Sequence, residues 1–201
     1  MIFTIVKEPI PFLIIDNTYT KEEQVKIYRE LDFISEKLQS ADQIGSAKKE
    51  NGEIKNNTGL FLDSAYRNRN LSDILTINRK IFSQEVMDEA CKCHYAYNLF
   101  REINHDTTLI SYYDDGSSYF SHPDSTAITA VTWFYKSPKN FTGGDFVFTD
   151  FNKQVELINN RTVIFFGCYK HEVSEVKIKD ITVPFSGRFT ISQFGLIESR
   201  V

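Results

Sequence analysis

His122 and Asp124, in the stretch YFSHPD, have the spacing of two ligands for a divalent metal ion. On an extended chain, side chains two positions apart point to the same side, so the imidazole and the carboxylate can face one ion together. Proline and aspartate are also common turn residues, and an exposed turn is the alternative interpretation of this stretch. Only further residues of the right type can decide between a metal site and a turn.

His171 is the histidine that best completes this pair. The chain has four histidines, and His171 follows the most apolar predicted strand, in the run RTVIFFGCYKH, at the start of the next predicted strand. Two histidines and one carboxylate on one side of a β-barrel form the facial triad of non-haem Fe(II) oxygenases, which leaves three coordination positions open. His122, Asp124 and His171 are therefore candidate ligands of such a triad.

Arg188 opens the last predicted strand, GRFTISQF, and shares one face of it with Thr190 and Ser192. Phe189 and Ile191 lie on the other face, which we expect to pack on helices. Arg188 then points inward, where a cation without an anion is costly. The planar guanidinium matches a carboxylate in bidentate fashion, so these residues are candidates for a dicarboxylate pocket. An arginine exposed at a sheet edge is the alternative interpretation.

The first half of the chain supplies mainly helices. Thr20 and Glu23 have the spacing of a capping box, which predicts a helix over about residues 21–38. A second helical region is predicted over about residues 72–103. Residues 40–60 are mostly polar and contain Gly and Asn, so we expect a mobile loop there.

The second half of the chain supplies strands. Short runs of β-branched and aromatic residues, separated by turn signals, predict the strands TLISYY, TAITAVTWFY, DFVF, QVELI, RTVIFF, EVSEVKI and GRFTISQF. Asn159-Asn160, between QVELI and RTVIFF, predicts a two-residue hairpin. This many short strands predicts a sandwich or a small barrel. Helices followed by strands place the chain in the α+β class, with β structure predominant.

The composition excludes several classes of function. The 201 residues suffice for one domain with a core, and the net charge of −4 provides no basic surface for nucleic acid. We expect no signal peptide and no membrane span, because no apolar run approaches the required length. The three cysteines are too few, and odd in number, for a disulfide framework. They indicate a reducing compartment, and we expect a cytoplasmic location.

From about Leu109 to Phe194, the chain resembles the 2-oxoglutarate- and Fe(II)-dependent dioxygenases, in particular their prolyl 4-hydroxylase-like branch. The resemblance lies in an ordered set of motifs: Tyr112, Gly116, Tyr119, His122-Pro123-Asp124, AITAVTWFY, Gly143-Gly144-Asp145-Phe146, RTVIFFGCYKHEV and Arg188. The segment PFLIIDNTYTKEEQVKIYREL resembles the first strand and first helix of that branch. The resemblance implies a double-stranded β-helix, a cupin-like jelly-roll barrel, over about residues 107–196. It further implies supporting helices over about residues 20–103, and a single domain over residues 1–201.

The resemblance also implies a role for each candidate ligand. His122, Asp124 and His171 would bind Fe(II) and form the catalytic centre. Gly143 and Gly144 would permit a tight turn before the next strand.

A second set of residues is implied to bind 2-oxoglutarate. Arg188 would pair with its distal carboxylate, assisted by Tyr112 and by Ser192 or Thr190. In this branch the basic residue usually lies closer to the second histidine than Arg188 does, so Lys179 is the rival anchor. We prefer Arg188, because Gly-Arg followed by alternating apolar residues fits a last strand.

The implied activity is hydroxylation of an unactivated C–H bond with O2, with succinate and CO2 as coproducts and ascorbate as an optional reductant. The favoured substrate is a prolyl residue in a peptide or protein, and a free amino acid or other small molecule is the alternative. The carboxylate of Asp124 argues against halogenation, because halogenases of this family carry a small residue there. A jelly-roll binding module without catalysis is the alternative from another class. The loop 40–60 and the turn 114–118 are expected to shape the choice of substrate, and the oligomeric state stays open.

Overall fold

The computed structural model describes residues 1–44 and 55–198 of the protein. Residues 45–54 belong to the predicted mobile segment 40–60 and lie outside the described residues. The α-helices of the described ranges all precede residue 104: α1 (Lys21–Ser35), α2 (Leu62–Ala65), α3 (Asp73–Asn78) and α4 (Gln84–Cys93). Short 3-10 helices are Arg69–Leu71, Arg79–Phe82, Tyr95–Glu102 and Thr149–Phe151.

The strands before residue 104 are β1 (Ile2–Val6), β2 (Phe12–Asp16), β3 (Gln39–Ser40) and β4 (Thr58–Phe61). Those after it are β5 (His105–Tyr113), β6 (Tyr119–His122), β7 (Ile128–Phe134), β8 (Phe141–Gly143), β9 (Phe146–Phe148), β10 (Lys153–Val155), β11 (Thr162–Phe166), β12 (His171–Val173), β13 (Val176–Ile178) and β14 (Arg188–Leu196).

Two antiparallel sheets form the body of the fold. The larger sheet has the order β1-β2-β11-β7-β14-β5-β4-β3, and the smaller has the order β10-β9-β12-β6. Strands β13 and β8 form a separate short pair. The two sheets enclose a common interior, which is the predicted double-stranded β-helix.

Helix α1 covers part of the outer face of the larger sheet. The Thr20 hydroxyl accepts a hydrogen bond from the Glu23 N–H (3.2 Å), and the Glu23 carboxylate accepts one from the Thr20 N–H (2.8 Å). This is the predicted capping box, although the helix ends at Ser35 rather than at residue 38. Its apolar side packs on strand β14 through Ile27, Leu31, Ile34, Phe189 and Ile191. Burial of each such side chain contributes roughly 1.5–3 kcal/mol.

The predicted helical region 72–103 is divided into short segments. Ser72 caps α3 and Ser83 caps α4, each by accepting a hydrogen bond from a backbone N–H with its hydroxyl. His94 is extended, with φ −163°, and ends α4. The apolar side of α4 packs on the larger sheet through Val86, Ala90, Cys93, Leu13 and Ile164. Capping residues within the region therefore override its overall helical pattern.

Aromatic side chains fill much of the space between the two sheets. The buried members of this cluster include Phe12, Trp133, Phe146, Phe148 and Phe165. Phe146 and Phe148 come from the smaller sheet, whereas Trp133 and Phe165 come from the larger one. These rings join the two sheets, and Phe146 also lines the cavity described below.

The predicted hairpin at Asn159-Asn160 is wrong. Strand β10 pairs with β9 in the smaller sheet, whereas β11 pairs with β2 and β7 in the larger one. The two asparagines therefore turn the chain from one sheet to the other. Asn160 adopts φ +61°, and its side chain bonds the backbone of Tyr19. The predicted strand QVELI is correspondingly short, since only Lys153–Val155 pairs.

The predicted strand EVSEVKI is also divided between sheets. Its first part, β12, pairs with β9 and β6, and its second part, β13, pairs with β8. At the break, the Ser174 N–H donates to the carbonyl of Asp145 (3.0 Å).

Two expectations from composition concern cysteines and membranes. Cys91, Cys93 and Cys168 are all free thiols. No helix within residues 1–44 and 55–198 combines the length and apolar character needed to cross a membrane.

Candidate active site

The structure brings His122, Asp124 and His171 together at the end of the smaller sheet. His122 is the last residue of β6, and His171, the first residue of β12, lies directly opposite it. One ligand atom from each of the three residues lies within 4.8 Å of the others. The Nε2 atom of each histidine is 3.8 Å from a carboxylate oxygen of Asp124. Pro123 follows the end of the strand, where its missing N–H disturbs no ladder.

Backbone carbonyls orient the two imidazoles. Nδ1 of His122 lies 2.8 Å from the carbonyl oxygen of Phe120, and Nδ1 of His171 lies 2.9 Å from that of Tyr169. A carbonyl only accepts, so Nδ1 carries the proton in each ring and Nε2 offers a lone pair. Burial lowers the pKa of both histidines to about 4, and for His122 the neighbouring His171 adds to the effect. Both rings are therefore neutral at physiological pH, as metal binding requires.

Thr129 of β7 holds the carboxylate of Asp124. Its hydroxyl donates to Oδ2 at 2.8 Å, which links the larger sheet to the ligand cluster. Burial raises the pKa of Asp124, and this hydrogen bond opposes the shift. A bound cation would favour the ionised carboxylate further. Two neutral imidazoles and one carboxylate are a donor set that suits a divalent transition metal.

The cluster lies on the wall of a cavity of about 470 Å³ between the two sheets. The larger sheet lines this cavity with Leu109, Ser111, Tyr113, Val131, Arg188, Thr190 and Ser192, and the smaller sheet with Tyr119, His122, Phe146, His171 and Val173.

Arg188 is a buried cation without a hydrogen-bond partner in the described part of the chain. Its side chain is fully buried, and all three guanidinium nitrogens lack an acceptor. The guanidinium carbon lies 5.0 Å from the centre of the Tyr113 ring and 5.6 Å from that of Trp133. Burial lowers the pKa of Arg188 to about 10, so it stays charged at neutral pH. A cation in this position fits an anionic ligand, because the unpaired state is costly.

The predicted companions Thr190 and Ser192 line the same cavity. The Thr190 hydroxyl is buried and has no hydrogen-bond partner among the described residues. These placements follow from the alternation of β14, since Phe189 and Ile191 pack on the helix side.

The predicted contribution of Tyr112 to this pocket is wrong. Its ring packs on the outer side with Phe185 and Phe189, and its hydroxyl accepts a hydrogen bond from the Gly187 N–H (3.1 Å). Tyr113 occupies the inner position instead and lines the cavity. The physical reason is the two-residue period of a strand, because a change of one position moves a side chain to the other face.

Lys179 lies outside the cavity lining. It is exposed and follows the end of β13, where its N–H donates to the carbonyl of Asn140 (2.8 Å). The predicted turn at KIKD is thus present.

Gly143 and Gly144 both adopt positive φ, +68° and +69°. A Cβ at Gly144 would lie 3.0 Å from Val176 Cγ2 and 3.4 Å from Arg188 Cδ. Glycine at this turn therefore leaves space for the arginine as well as permitting the backbone conformation.

Sequence reasoning missed two residues of the site. Thr129 lies in an apolar predicted strand. It is a polar residue two positions before Val131, which lines the cavity, and this spacing is the signal that could have identified it. Lys55 lies in the polar segment 40–60, where nothing in the sequence distinguishes it, yet its side chain is buried and lines the cavity. Its ammonium lies 4.7 Å from the centre of the Tyr119 ring, which stacks on His122. Burial lowers the pKa of Lys55 to about 8, and Asp124 opposes this shift.

Comparison with known proteins places this geometry in context. No family model matches the chain, and no curated protein matches it in sequence. Solved structures match it over most of its length. A prolyl-4-hydroxylase from Pseudomonas putida superimposes with a TM-score of 0.60 at 15% identity, covering 94% of this chain and 93% of that chain.

Two further solved structures share the architecture. An oxidoreductase of the 2OG-Fe(II) oxygenase family from Burkholderia pseudomallei has a TM-score of 0.59 at 12% identity, covering 94% of this chain and 86% of its own. A viral collagen prolyl hydroxylase from Paramecium Bursaria Chlorella virus-1, in a 2OG complex, has a TM-score of 0.53 at 14% identity, with coverages of 96% and 99%. The chain therefore has the double-stranded β-helix fold of these 2OG-Fe(II) oxygenase and prolyl hydroxylase structures, as its ordered motifs predict.

Proposed function

We propose that the protein is a non-haem Fe(II)- and 2-oxoglutarate-dependent oxygenase that hydroxylates an unactivated C–H bond. The observation that carries the proposal is the presence, in one cavity, of the His122/Asp124/His171 cluster and the buried, unpaired Arg188. A set of metal ligands alone is compatible with many reactions, and a buried cation alone is compatible with any anion. A dicarboxylate that chelates the metal at one end and pairs with Arg188 at the other end would use both features.

The ligand cluster would hold Fe(II) through the Nε2 atoms of His122 and His171 and a carboxylate oxygen of Asp124. When bound, Fe(II) and 2-oxoglutarate supply oxygen-activating chemistry, in which the 2-oxo acid yields succinate and CO2 and one oxygen atom enters the substrate. Ascorbate would serve only as an external reductant. Thr129 and the two backbone carbonyls fix the orientation of the ligands, as is typical of residues that support metal ligands.

Arg188 would pair with the distal carboxylate of 2-oxoglutarate. Thr190, Ser192 and Tyr113 line the same cavity, and their hydroxyl groups would add hydrogen bonds to this carboxylate. Burial raises the pKa of Tyr113 to about 12, so its hydroxyl stays protonated and can donate. A hydrogen bond to a charged group contributes about 1.5–3 kcal/mol. Apolar neighbours in the cavity, such as Phe146, exclude water and strengthen these interactions.

We further propose that the substrate is a prolyl residue in a peptide or protein. The support is the shared fold with two prolyl hydroxylase structures. A free amino acid or another small molecule is the alternative substrate. We propose that residues 1–201 act as one catalytic domain and, because the cysteines are free, that the domain works in a reducing compartment such as the cytoplasm.

The test begins with anaerobic addition of Fe(II) and 2-oxoglutarate to the purified protein. A visible charge-transfer band is expected for the chelate, and it should be absent from His122→Ala. Oxygen is then admitted with proline-containing peptides or free amino acids, and succinate and the mass gain of one oxygen atom are measured. Absence of both the band and succinate would reject the oxygenase and favour a non-catalytic binding module.

A further inference from the structure

Lys55 is a second buried cation in the cavity that contains Arg188. Its residue is 6% exposed, and it lines the cavity from the segment that precedes β4. Its ammonium lies over the ring of Tyr119, and that ring stacks on His122 with 3.7 Å between the ring centres. Arg188 contacts a different ring, that of Tyr113. The cavity therefore contains two cations in separate surroundings, and Lys55 is the one beside the ligand cluster.

Lys55 has no carboxylate partner within residues 1–44 and 55–198. No Asp or Glu carboxylate oxygen in these two ranges lies within 4.0 Å of its ammonium nitrogen. Asp124 is the nearby acid, but its oxygens face the two imidazoles and the Thr129 hydroxyl. The contact with the Tyr119 ring offsets part of the cost of burying this charge but neutralises none of it. A buried charge without a counter-charge is costly, so Lys55, like Arg188, fits an anionic ligand.

The backbone next to Lys55 is held in place by the turn 114–118. The side-chain amide of Asn56 donates to the carbonyl of Gly116 (2.8 Å), and its oxygen accepts from the Ser118 N–H (2.7 Å). These bonds fix the chain that carries the lysine. Hydrogen bonds of Asn56 therefore connect the turn 114–118 directly to the segment that carries Lys55.

We propose that Lys55 binds a carboxylate of the substrate and thereby restricts the reaction to acids. This inference rests on the proposed oxygenase function, in which Arg188 is already used by the distal carboxylate of 2-oxoglutarate. The remaining carboxylate of 2-oxoglutarate is the other source of the same chemistry. The substrate is the better assignment, because Lys55 lies over the Tyr119 ring, whereas Arg188, the proposed anchor of 2-oxoglutarate, lies over the Tyr113 ring. The expected substrates are free amino acids, or peptides with a carboxylate next to the reacting residue.

The test measures binding to the full chain loaded with Mn(II) and saturated with 2-oxoglutarate without oxygen. Isothermal titration calorimetry compares matched pairs: free amino acids with their amides, prolyl dipeptides with free or amidated C-termini, and peptides with Asp or Asn beside proline. At least one acid should bind, and its neutral twin should bind at least about 10-fold more weakly, since a charge-assisted hydrogen bond of about 1.5–3 kcal/mol is lost. Acids and neutral twins that bind alike throughout the panel would overturn the proposal.

Variants of Lys55 test whether this residue causes the preference for acids over their neutral twins. Lys55→Met should remove the difference between acid and neutral twin, and Lys55→Arg should retain most of it. Lys179→Met, at an exposed lysine outside the cavity, is the matched control and should change nothing. A preference that survives Lys55→Met would contradict the proposal. Weaker 2-oxoglutarate binding by Lys55→Met, with acid preference intact, would assign the ammonium to the cosubstrate instead.

A parallel measurement separates this inference from the proposed function. Succinate formation from 2-oxoglutarate by the wild-type protein is followed with Fe(II) and oxygen. If no succinate forms, the oxygenase proposal fails. If succinate forms but the panel shows no acid preference dependent on Lys55, only the inference about the substrate fails.

Discussion

Arg188 and Tyr113 are direct cross-strand partners, and the guanidinium carbon of Arg188 lies 5.0 Å from the centre of the Tyr113 ring. Residues opposite each other in an antiparallel pair point to the same face. The pair therefore forms a wall of the cavity, whereas Tyr112 and its partner Phe189 face the helix side.

This register predicts different effects for the substitution of two adjacent tyrosines. One substitution should weaken the interaction with 2-oxoglutarate, and the other should lower the stability of the fold. Tyr113→Phe should raise the apparent KM for 2-oxoglutarate by at least about 10-fold, because one hydrogen bond to a charged group, of about 1.5–3 kcal/mol, is lost. Tyr112→Phe should leave the apparent KM for 2-oxoglutarate unchanged. It should lower the free energy of unfolding by about 1–3 kcal/mol, because the N–H of Gly187 loses its acceptor. Steady-state kinetics and urea unfolding measure the two quantities. Equal effects of both variants on this KM would show that the register argument fails.

Arg188, rather than Lys179, is expected to hold the distal carboxylate. Arg188→Met should raise the apparent KM for 2-oxoglutarate by at least about 10-fold. Arg188→Lys should reverse only part of this rise, because an ammonium cannot form the bidentate fork. Lys179→Ala should leave this KM nearly unchanged. The measurement is succinate formation over a range of 2-oxoglutarate concentrations, and a critical Lys179 with a dispensable Arg188 would reverse the assignment.

Stability provides an independent check on the same arginine. Without ligand, Arg188 is a buried charge with no hydrogen-bond partner among the described residues. Arg188→Met should therefore leave the melting temperature of the ligand-free protein unchanged or raise it, because the cost of the buried charge disappears. Differential scanning calorimetry makes the measurement. A large destabilisation would mean that Arg188 has a structural role.

His122 is expected to be indispensable for metal binding. His122→Ala should abolish succinate formation and reduce bound Fe(II) to background in anaerobic equilibrium dialysis, since two remaining ligands hold a labile ion poorly. His105→Ala is the matched control, because His105 is exposed at the start of β5 and away from the cluster. Stoichiometric iron in His122→Ala would remove this histidine from the ligand set.

Thr129 is expected to tune the metal site through Asp124. Thr129→Val removes the donor to Oδ2 and should weaken Fe(II) binding by about 10–100-fold, the usual range for residues that support metal ligands. Thr129→Ser keeps a hydroxyl and should restore most of the affinity. A competition assay with a metal indicator reports the affinity directly. Identical affinities for the Val and Ser variants would show that the hydrogen bond has no role in binding.

The sequence by itself determined the fold class and the candidate ligands. The spacing of His122 and Asp124, the apolar strand before His171, and the alternation around Arg188 are all local patterns. Local patterns survive folding when the backbone period is regular, because a strand of period two sets which of its side chains share a face, although not which face points inward. The capping box at Thr20 was equally local, and the structure confirms it.

Only the tertiary structure decided which strands pair and which neighbouring residues enter the cavity. Asn159-Asn160 had the composition of a hairpin turn, yet its flanking strands belong to different sheets. Tyr112 and Tyr113 could not be separated, because their faces depend on pairing with β14, which is distant in the sequence. Lys55 was unrecognisable in a polar segment, since its burial depends on Tyr119 and on the turn bound by Asn56. Register and burial are set by contacts between distant segments, and such contacts leave little trace in the local sequence.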